Sequence, residues 1–326
     1  MSPLRSIGNA ISAFNDFYAR TAGSAAGGAA AADPVSATGG TKFTSGSYTY
    51  HFYVNDAFAP QPSTNKEFTL SSGTSINVLV VGGGSGGQND GGGGGGSGGV
   101  AHAENMPVSP GTFTATVGRG KAYADSPNTP ESSTFVDPSG PVTITALGGG
   151  LGRDTAQGED GGSGGGGGQP SNNGGGSNQG PQNPGLSYVT NYGSSGGQGG
   201  PNDQGGGGGG AGGAGVQGSS GGNGGDGQPF SDFPGPQLYT DMPSPLQSTL
   251  GTNWRDALGP TGLFAGGGGG GSSPPGAGGP GGGGNGNDSG GAGINYTGSG
   301  GAGGPSSPNQ PGGTGGNGLI VVYYPT

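Results

Sequence analysis

Glycine is so frequent in this sequence that most of the chain cannot build a core from side chains. It occupies 93 of the 326 positions, roughly four times its usual share of about 7 %. Such a composition is typical of disorder, because glycine loses the most backbone entropy on folding and brings nothing to bury. However, only 8 % of the residues are charged, and the apolar residues are gathered into short groups. We therefore expect an ordered fold in which backbone packs on backbone.

Composition also excludes several classes of protein. Collagen needs glycine at every third position, and the runs 91–96 and 205–210 break that register. The net charge of −10 leaves no basic surface for nucleic acid or anionic membranes. Nucleic-acid binding is therefore not expected. Membrane insertion is not expected either, because no apolar run approaches the roughly 20 residues that span a bilayer. Without cysteine, disulfide scaffolds and thiolate metal sites are excluded.

Residues 1–22 predict a short amphipathic helix. Pro3 suits a first helical turn, and apolar residues recur at spacings of three and four. A helix of this length is marginal alone in water, so its apolar face is expected to dock. It docks either on the body of this chain or, as we favour, on another protein, since a linker of small residues (23–41) follows. The anchor residues are Leu4, Ile7, Ile11, Phe14 and Tyr18.

Short apolar segments bounded by turn residues predict an all-β unit, a small β-sandwich. In the first of them, Tyr50 and Phe52 fall on one side, and His51 and Tyr53 on the other. Two segments are almost continuously apolar, which favours central strands. The strands are expected at 42–54, 67–70, 76–81, 112–117, 141–147 and 319–324.

The order of these segments indicates how the glycine is arranged. A strand-rich part (42–147) precedes a glycine-rich region (148–318), and a closing strand (319–326) follows it. The glycine-rich region is thus an insertion within a fold, held at both ends. It is expected to form a bundle of polyglycine II helices, which have three residues per turn and polar backbone groups that neighbouring helices can satisfy.

Two aromatic groups interrupt the glycine and are the predicted recognition residues. One is the segment 186–192, and the other is a longer insert at 228–264, in which a helical turn is expected at 246–258. Aromatic rings suit sugar faces and flat protein surfaces. The alternative, favoured for Trp254, is that the rings pack together to fold the insert. The candidate receptor contacts are Tyr188, Tyr192, Tyr239 and Trp254.

Residues for catalysis are scarce, so we expect no enzyme. The only imidazole bases are His51 and His102, and both are interpreted as strand or turn residues. Paired carboxylates of the glycosidase type are interpreted as solvated loop groups. The pairs are Glu159 with Asp160 and Asp232 with Asp241.

Glycine motifs that hold cofactors or metals are incomplete. A phosphate-binding loop needs G-x-x-x-x-G-K-[ST], and no lysine stands in that position. The calcium-binding nonapeptide G-G-x-G-x-D is matched at 221–226 and 283–288, but the apolar residue that should follow is Gln228 in the first and Gly290 in the second. No cofactor or metal is expected.

Four sequence blocks, in their order, carry a resemblance to a known family. They are FTLSSGTSINVLVVGGGSGG, PGTFTATVGRG, VTITALGGGLG and GGTGGNGLIVVYY. A strand that enters poly-glycine and a final aromatic strand resemble the glycine-rich domains of bacteriophage tail fibres and tail-tip adhesins. The resemblance covers about residues 41–326. The first 40 residues do not resemble a tail-tip attachment domain, which leaves tail fibre, capsid-decorating fibre and other appendages open.

The resemblance implies a structural protein of the virion surface that attaches to the host through loops on a glycine-rich scaffold. The implied partners are other virion proteins, bound through the N-terminal segment, and a host surface glycan or protein. A homotrimer would suit a fibre, whereas an adhesin domain could be monomeric. The alternative function is purely architectural, as a capsid-decorating or fibre-shaft subunit without a receptor role. Ice binding would require threonine or alanine at regular triplet spacing, which the sequence lacks.

Overall fold

The computed structural model describes residues 34–55, 65–122, 130–137, 140, 142–286, 290–306 and 310–326. The predicted anchor helix at 1–22, with its apolar residues, lies outside the described residues. Thirteen strands and two helices are found in the part described. They are β1 (Ser36–Thr38), β2 (Thr41–Ser45), β3 (Tyr48–Tyr53), β4 (Asn65–Ser72), β5 (Ser75–Val81), β6 (Val100–Pro107), β7 (Gly111–Thr116), β8 (Ser133–Val136), β9 (Thr143–Ala146), β10 (Val189–Tyr192), β11 (Gln228–Pro229), α1 (Gly235–Asp241), α2 (Ser244–Leu258), β12 (Leu263–Phe264) and β13 (Leu319–Pro325).

Two antiparallel sheets form the first two layers of the molecule, and the expected all-β fold is confirmed. The five-stranded sheet has the order β1-β4-β7-β8-β9, and the six-stranded sheet has the order β10-β6-β5-β13-β3-β2. Side chains from both sheets meet in one buried cluster, in which Phe68, Phe113 and Phe135 face Val80, Val322 and their neighbours. β5 and β13 lie in the middle of the six-stranded sheet, as their apolar sequences predict.

The aromatic insert 228–264 forms a third layer on the other face of the six-stranded sheet. Both faces of β13 are therefore buried: Val321 and Tyr323 face the insert, whereas Ile320 and Val322 face the five-stranded sheet. This explains why the strand is apolar throughout. The insert contributes two helices, of which α2 is kinked at Gly251 (φ 75°). Its buried residues are Phe230, Phe233, Leu238, Met242, Leu246, Leu250, Trp254, Leu258 and Phe264.

Some predicted element boundaries are wrong. The segment 42–54 is a hairpin of β2 and β3, because Gly46 takes a positive φ of 57° and reverses the chain. The predicted linker 23–41 ends in β1, which pairs with β4. Its small residues suggested a tether, but Ala37 is buried against the five-stranded sheet. Strand β6 was missed because its sequence, VAHAENMP, has no regular alternation.

Most of the remaining glycine lies outside helices and strands and forms a tightly packed unit, here named the glycine core. It consists of segments 82–99, 118–121, 147–178, 193–227, 265–286, 290–306 and 310–318. In its central segment, 92–99, backbone N–H groups three residues apart donate to the same neighbour. The first neighbour is segment 147–153, which accepts from residues 93, 96 and 99 at 153, 150 and 147. The second is segment 206–209, which accepts from residues 94 and 97 at 206 and 209. The third is segment 298–301, which accepts from residues 95 and 98 at 301 and 298.

The carbonyl groups of the central segment follow the same period of three. They accept from three further segments, 82–88, 163–166 and 268–271, at N–O distances of 2.8–3.1 Å. Six neighbours thus surround segment 92–99 and hydrogen-bond to nearly all of its backbone groups. The predicted boundary at residue 148 is therefore wrong, because this central segment comes from the part assigned to strands. The segment was assigned to the strand-rich part because it lies between the apolar strands β5 and β6 in the sequence.

Three segments of the glycine core adjoin strands of the two sheets directly. Segments 82–88, 92–99 and 147–153 begin or end directly at β5, β6 and β9. Their other ends meet far from the sheets, where Gly93 N–H donates to Arg153 O and Gly94 N–H donates to Gly206 O. The glycine core thus has one end at the sheets and an opposite end formed by turns.

Candidate functional site

Six described turns lie together at the end of the glycine core away from the sheets, and we name them the tip turns. Hydrogen bonds between them fix this arrangement: Gly271 N–H donates to Gly92 O, and Ser171 N–H donates to Gly200 O. Their sequences are rich in Asp, Asn, Gln, Ser and Pro, and most of their central residues are exposed. They are 88–92, 153–158, 168–172, 200–205, 218–222 and 271–276.

Three carboxylates, Asp90, Asp154 and Asp203, come together at the tip turns. Burial, together with the negative charges of Asp90 and Asp203, raises the pKa of Asp154, while a hydrogen bond with Gln169 opposes this shift. Gln169 also joins two turns, since its Oε1 accepts from Asp203 N–H at 3.1 Å. The tip is therefore a polar, acidic surface of short turns held by the backbone beneath it. Sequence reasoning missed these residues, although clusters such as QND and PNDQ are typical turn formers.

The predicted aromatic contact Trp254 is wrong, because its side chain is fully buried. Its indole Nε1–H donates to Tyr296 O at 3.1 Å, and its ring packs edge-on against Phe52 and Phe264. Trp254 thus joins the insert to the six-stranded sheet and to the glycine core. This is the packing alternative that the sequence favoured for this residue.

The other three predicted aromatic contacts are half-buried and lie near the sheets, apart from the tip turns. Tyr192 packs edge-on against Phe230, and Tyr188 packs beside the cluster between the sheets. The hydroxyl of Tyr239 donates to Gln247 O, and the guanidinium of Arg255 lies 5.7 Å from its ring centre. The structure therefore does not bring the four predicted residues together into one surface.

Both histidines are buried in the six-stranded sheet. His51 donates from Nδ1 to Gly39 O at 2.7 Å and accepts at Nε2 from the hydroxyl of Tyr324 at 3.0 Å. A carbonyl can only accept, so this tautomer follows from the contacts. Burial lowers the pKa of both His51 and His102, which keeps the rings neutral.

His102 belongs to a chain of hydrogen bonds that ends at a carboxylate. The hydroxyl of Tyr323 donates to Asp232 Oδ2 at 3.0 Å, so its oxygen accepts from His102 Nε2–H at 2.8 Å. Burial, with the charge of Asp232, raises the pKa of Tyr323 and keeps the hydroxyl protonated. With Nε2–H committed as a donor, this nitrogen has no free lone pair with which to act as a base.

The chain of hydrogen bonds opens into a cavity of about 200 Å³, here named the polar cleft. It lies at the end of the six-stranded sheet opposite the glycine core, where the insert meets the first residues of β5 and the last residues of β6 and β13. Its polar and aromatic lining consists of Tyr48, Ser75, Asn77, Glu104, Asn105, Asp232 and Tyr323.

In the two carboxylate pairs interpreted as solvated loop groups, each carboxylate has its own hydrogen-bond or ion-pair partner in the structure. Asp232 accepts from Tyr323, whereas Asp241 accepts from Ser45 Oγ at 2.7 Å and from Gln237. Glu159 pairs with Arg153, and Asp160 Oδ1 accepts from Gly176 N–H at 2.6 Å. Each carboxylate is thus engaged by a different group of the fold.

The described residues contain neither a cluster of metal ligands nor a membrane-spanning helix. No three His, Asp or Glu residues in these parts of the chain are placed to hold a metal ion. None of the described helices has the length and hydropathy needed to cross a membrane.

Comparison with the curated proteins gives no match to this chain. The family model described as "Glycine-rich domain" matches residues 61–325. This range includes β4 to β13, the glycine core, the insert and the tip turns. The chain therefore belongs to the glycine-rich domain family.

Proposed function

We propose that this chain is a structural protein of the bacteriophage virion surface, a fibre or adhesin that holds the tip turns toward the host. We further propose that its glycine core is a bundle of polyglycine II helices. The alternative remains a purely architectural subunit that decorates a capsid or forms a fibre shaft.

The hydrogen-bond period of three supports the polyglycine II assignment. An extended helix with three residues per turn directs successive N–H groups to three sides, and segment 92–99 donates to three neighbours in that order. Glycine permits the close approach, since a Cβ at Gly95 would lie 2.1 Å from Ser85 O. A bundle held by backbone hydrogen bonds is a stiff support for loops.

The placement of the tip turns is the observation that carries the functional proposal. All six tip turns lie at one end of the glycine core, whereas Pro34 and Pro325 lie at the opposite end of the molecule, beside Ser72 and the polar cleft. Binding residues are often carried on loops that a rigid scaffold positions. A protein attached near Pro34 would therefore present the tip turns outward.

The proposed partners follow from this orientation. The anchor residues Leu4, Ile7, Ile11, Phe14 and Tyr18 would bind another virion protein, and the tip turns would bind a host surface glycan or protein. A homotrimer would place three sets of tip turns side by side. Among the aromatic candidates, Tyr188, Tyr192 and Tyr239 are partly accessible and would contribute only if the receptor also covers the flank.

An epitope tag inserted at two positions tests this function in the phage that carries the chain. One tag lies in the tip turn 200–205, and the matched control follows Gly180, which is exposed and close to the sheets. We expect antibodies to label both tags on virions by electron microscopy. Only the antibody at the tip turn should block adsorption, because it covers the receptor-binding surface.

The other outcomes separate the alternatives. Labelled virions that adsorb normally with either antibody would favour the architectural subunit. Virions that carry neither label would rule out the virion assignment.

A further inference from the structure

The polar cleft carries negative charge that no cation in the described part of the chain pairs with. Glu104 and Asp232 both line it, and neither forms an ion pair with any of the described residues. Both charges act on the same two groups, His102 and Tyr323. His102 supplies no positive charge, because burial lowers its pKa. A ligand that brings its own positive charge would therefore be favoured in the cleft, and an anion would be repelled.

The carboxylates of Glu104 and Asp232 are the only charged groups among the residues that line the cleft. The two carboxylates only accept when ionised. The hydrogen of the Tyr323 hydroxyl is already directed to Asp232, and Asn77 Oδ1 already accepts from Asn105 N–H at 2.8 Å. A cationic group that donates hydrogen bonds therefore fits the two carboxylates better than a neutral sugar hydroxyl.

Aromatic rings form one wall of the cleft. Tyr48 is half-buried, and its ring lies edge-on to that of Tyr323 at 5.4 Å between centres. A planar cation stacks on such a ring and gains a cation–π attraction. Guanidinium groups combine this stacking with two parallel hydrogen bonds to a carboxylate, which an ammonium group cannot make.

We propose that the polar cleft binds the guanidinium group of an arginine side chain on a partner protein. The guanidinium donates to the carboxylates of Glu104 and Asp232 and stacks on Tyr48. The volume of about 200 Å³ admits one side chain. The cleft lies at the end of the sheets opposite the tip turns, so this partner is distinct from the one that the tip turns would bind, and the proposal does not depend on the function proposed above.

Titration of the isotope-labelled chain with N-acetyl-arginine-N-methylamide, followed by NMR, tests this proposal. We expect saturable shifts of the Asn77, Glu104 and Asn105 signals. Glu104→Gln should weaken binding at least tenfold without affecting the fold, since Glu104 is exposed, and Asp232→Asn should also weaken binding. The matched control is Glu67→Gln, which removes an exposed charge from the other sheet and should leave binding unchanged.

Two further probes make the test specific. The corresponding lysine probe should bind more weakly, and methyl hexosides should cause no shift at the cleft. The proposal is overturned by a lack of saturable shifts with the arginine probe, by equal binding of the lysine probe, or by unchanged affinity in Glu104→Gln. A hexoside that shifts the cleft signals while the arginine probe does not would identify a sugar site instead.

Discussion

At the scale of single residues, the glycine core depends on the absence of Cβ atoms. A Cβ at Gly94 would lie 2.2 Å from Gly268 O, and one at Gly96 would lie 2.3 Å from Ser163 O. The obstructing atoms belong to backbone that is hydrogen-bonded on other sides, so they cannot move aside alone. Glycine is required here for the approach of chains, since neither residue has a positive φ.

Gly95→Ala tests this dependence on close approach. Overpacking a core usually costs about 1–3 kcal/mol, and we expect at least about 3 kcal/mol here because the contact is with backbone. Urea unfolding followed by circular dichroism measures the change. The control is Gly180→Ala, since a Cβ at Gly180 would have no neighbour within 4 Å. We expect it to stay within about 0.5 kcal/mol of the parent protein, and equal stability of the two variants would argue against close packing at Gly95.

At the scale of elements, the insert 228–264 acts as a cover for the six-stranded sheet. It buries the outer face of β13 and β3, and the hydroxyl of Tyr50 donates to Asp232 O at 2.7 Å beneath it. A sheet with two covered faces needs apolar residues on both, as β5 and β13 have. The insert therefore has a structural role. Its position between two glycine-rich stretches of the sequence gave no indication that it packs on the sheet.

Trp254→Ala should destabilise the protein by about 3–5 kcal/mol, since it removes a fully buried aromatic side chain and leaves a cavity. Thermal or urea unfolding measures this loss. Asn253→Ala, an exposed neighbour in α2, is the control and should change the stability by less than about 0.5 kcal/mol. A surface role for Trp254 would instead predict unchanged stability and reduced host binding.

The sequence predicts an element well where its apolar pattern is regular, and poorly where contacts with distant segments determine its environment. The alternation in β3 correctly assigned Tyr50 and Phe52 to one face and Tyr53 to the other. It did not show that both faces are covered, because the insert lies far away in the sequence. The tip turns were readable as turns, but their assembly at one end depends on hydrogen bonds between distant segments.

At the scale of the whole molecule, the chain passes back and forth between the sheets and the glycine core. The chain passes from β5 into segment 82–99 and returns to β6, and it leaves β9 for the glycine core before it reaches β10. A strand can hardly separate from its sheet while the adjoining glycine segment stays bonded to its neighbours. The two parts should therefore unfold together.

Native-state hydrogen exchange tests this cooperativity. We expect the amides of residues 93–99 to exchange with the same free energy of opening as those of residues 78–81 in β5, because only global unfolding exposes them. The amide of Gly180, in an exposed turn, should exchange much faster. Opening of residues 93–99 at lower free energy than β5 would instead mean that the glycine core opens separately.

The period of three in segment 92–99 has a consequence for how such a molecule can vary. Its scaffold is joined by main-chain groups, which every amino acid possesses, so the stability of the support places few demands on the side chains of the exposed turns. Substitutions there can change the exposed surface without rebuilding the framework. Diversification at one end is thus uncoupled from folding at the other, much as hypervariable loops are on an immunoglobulin frame.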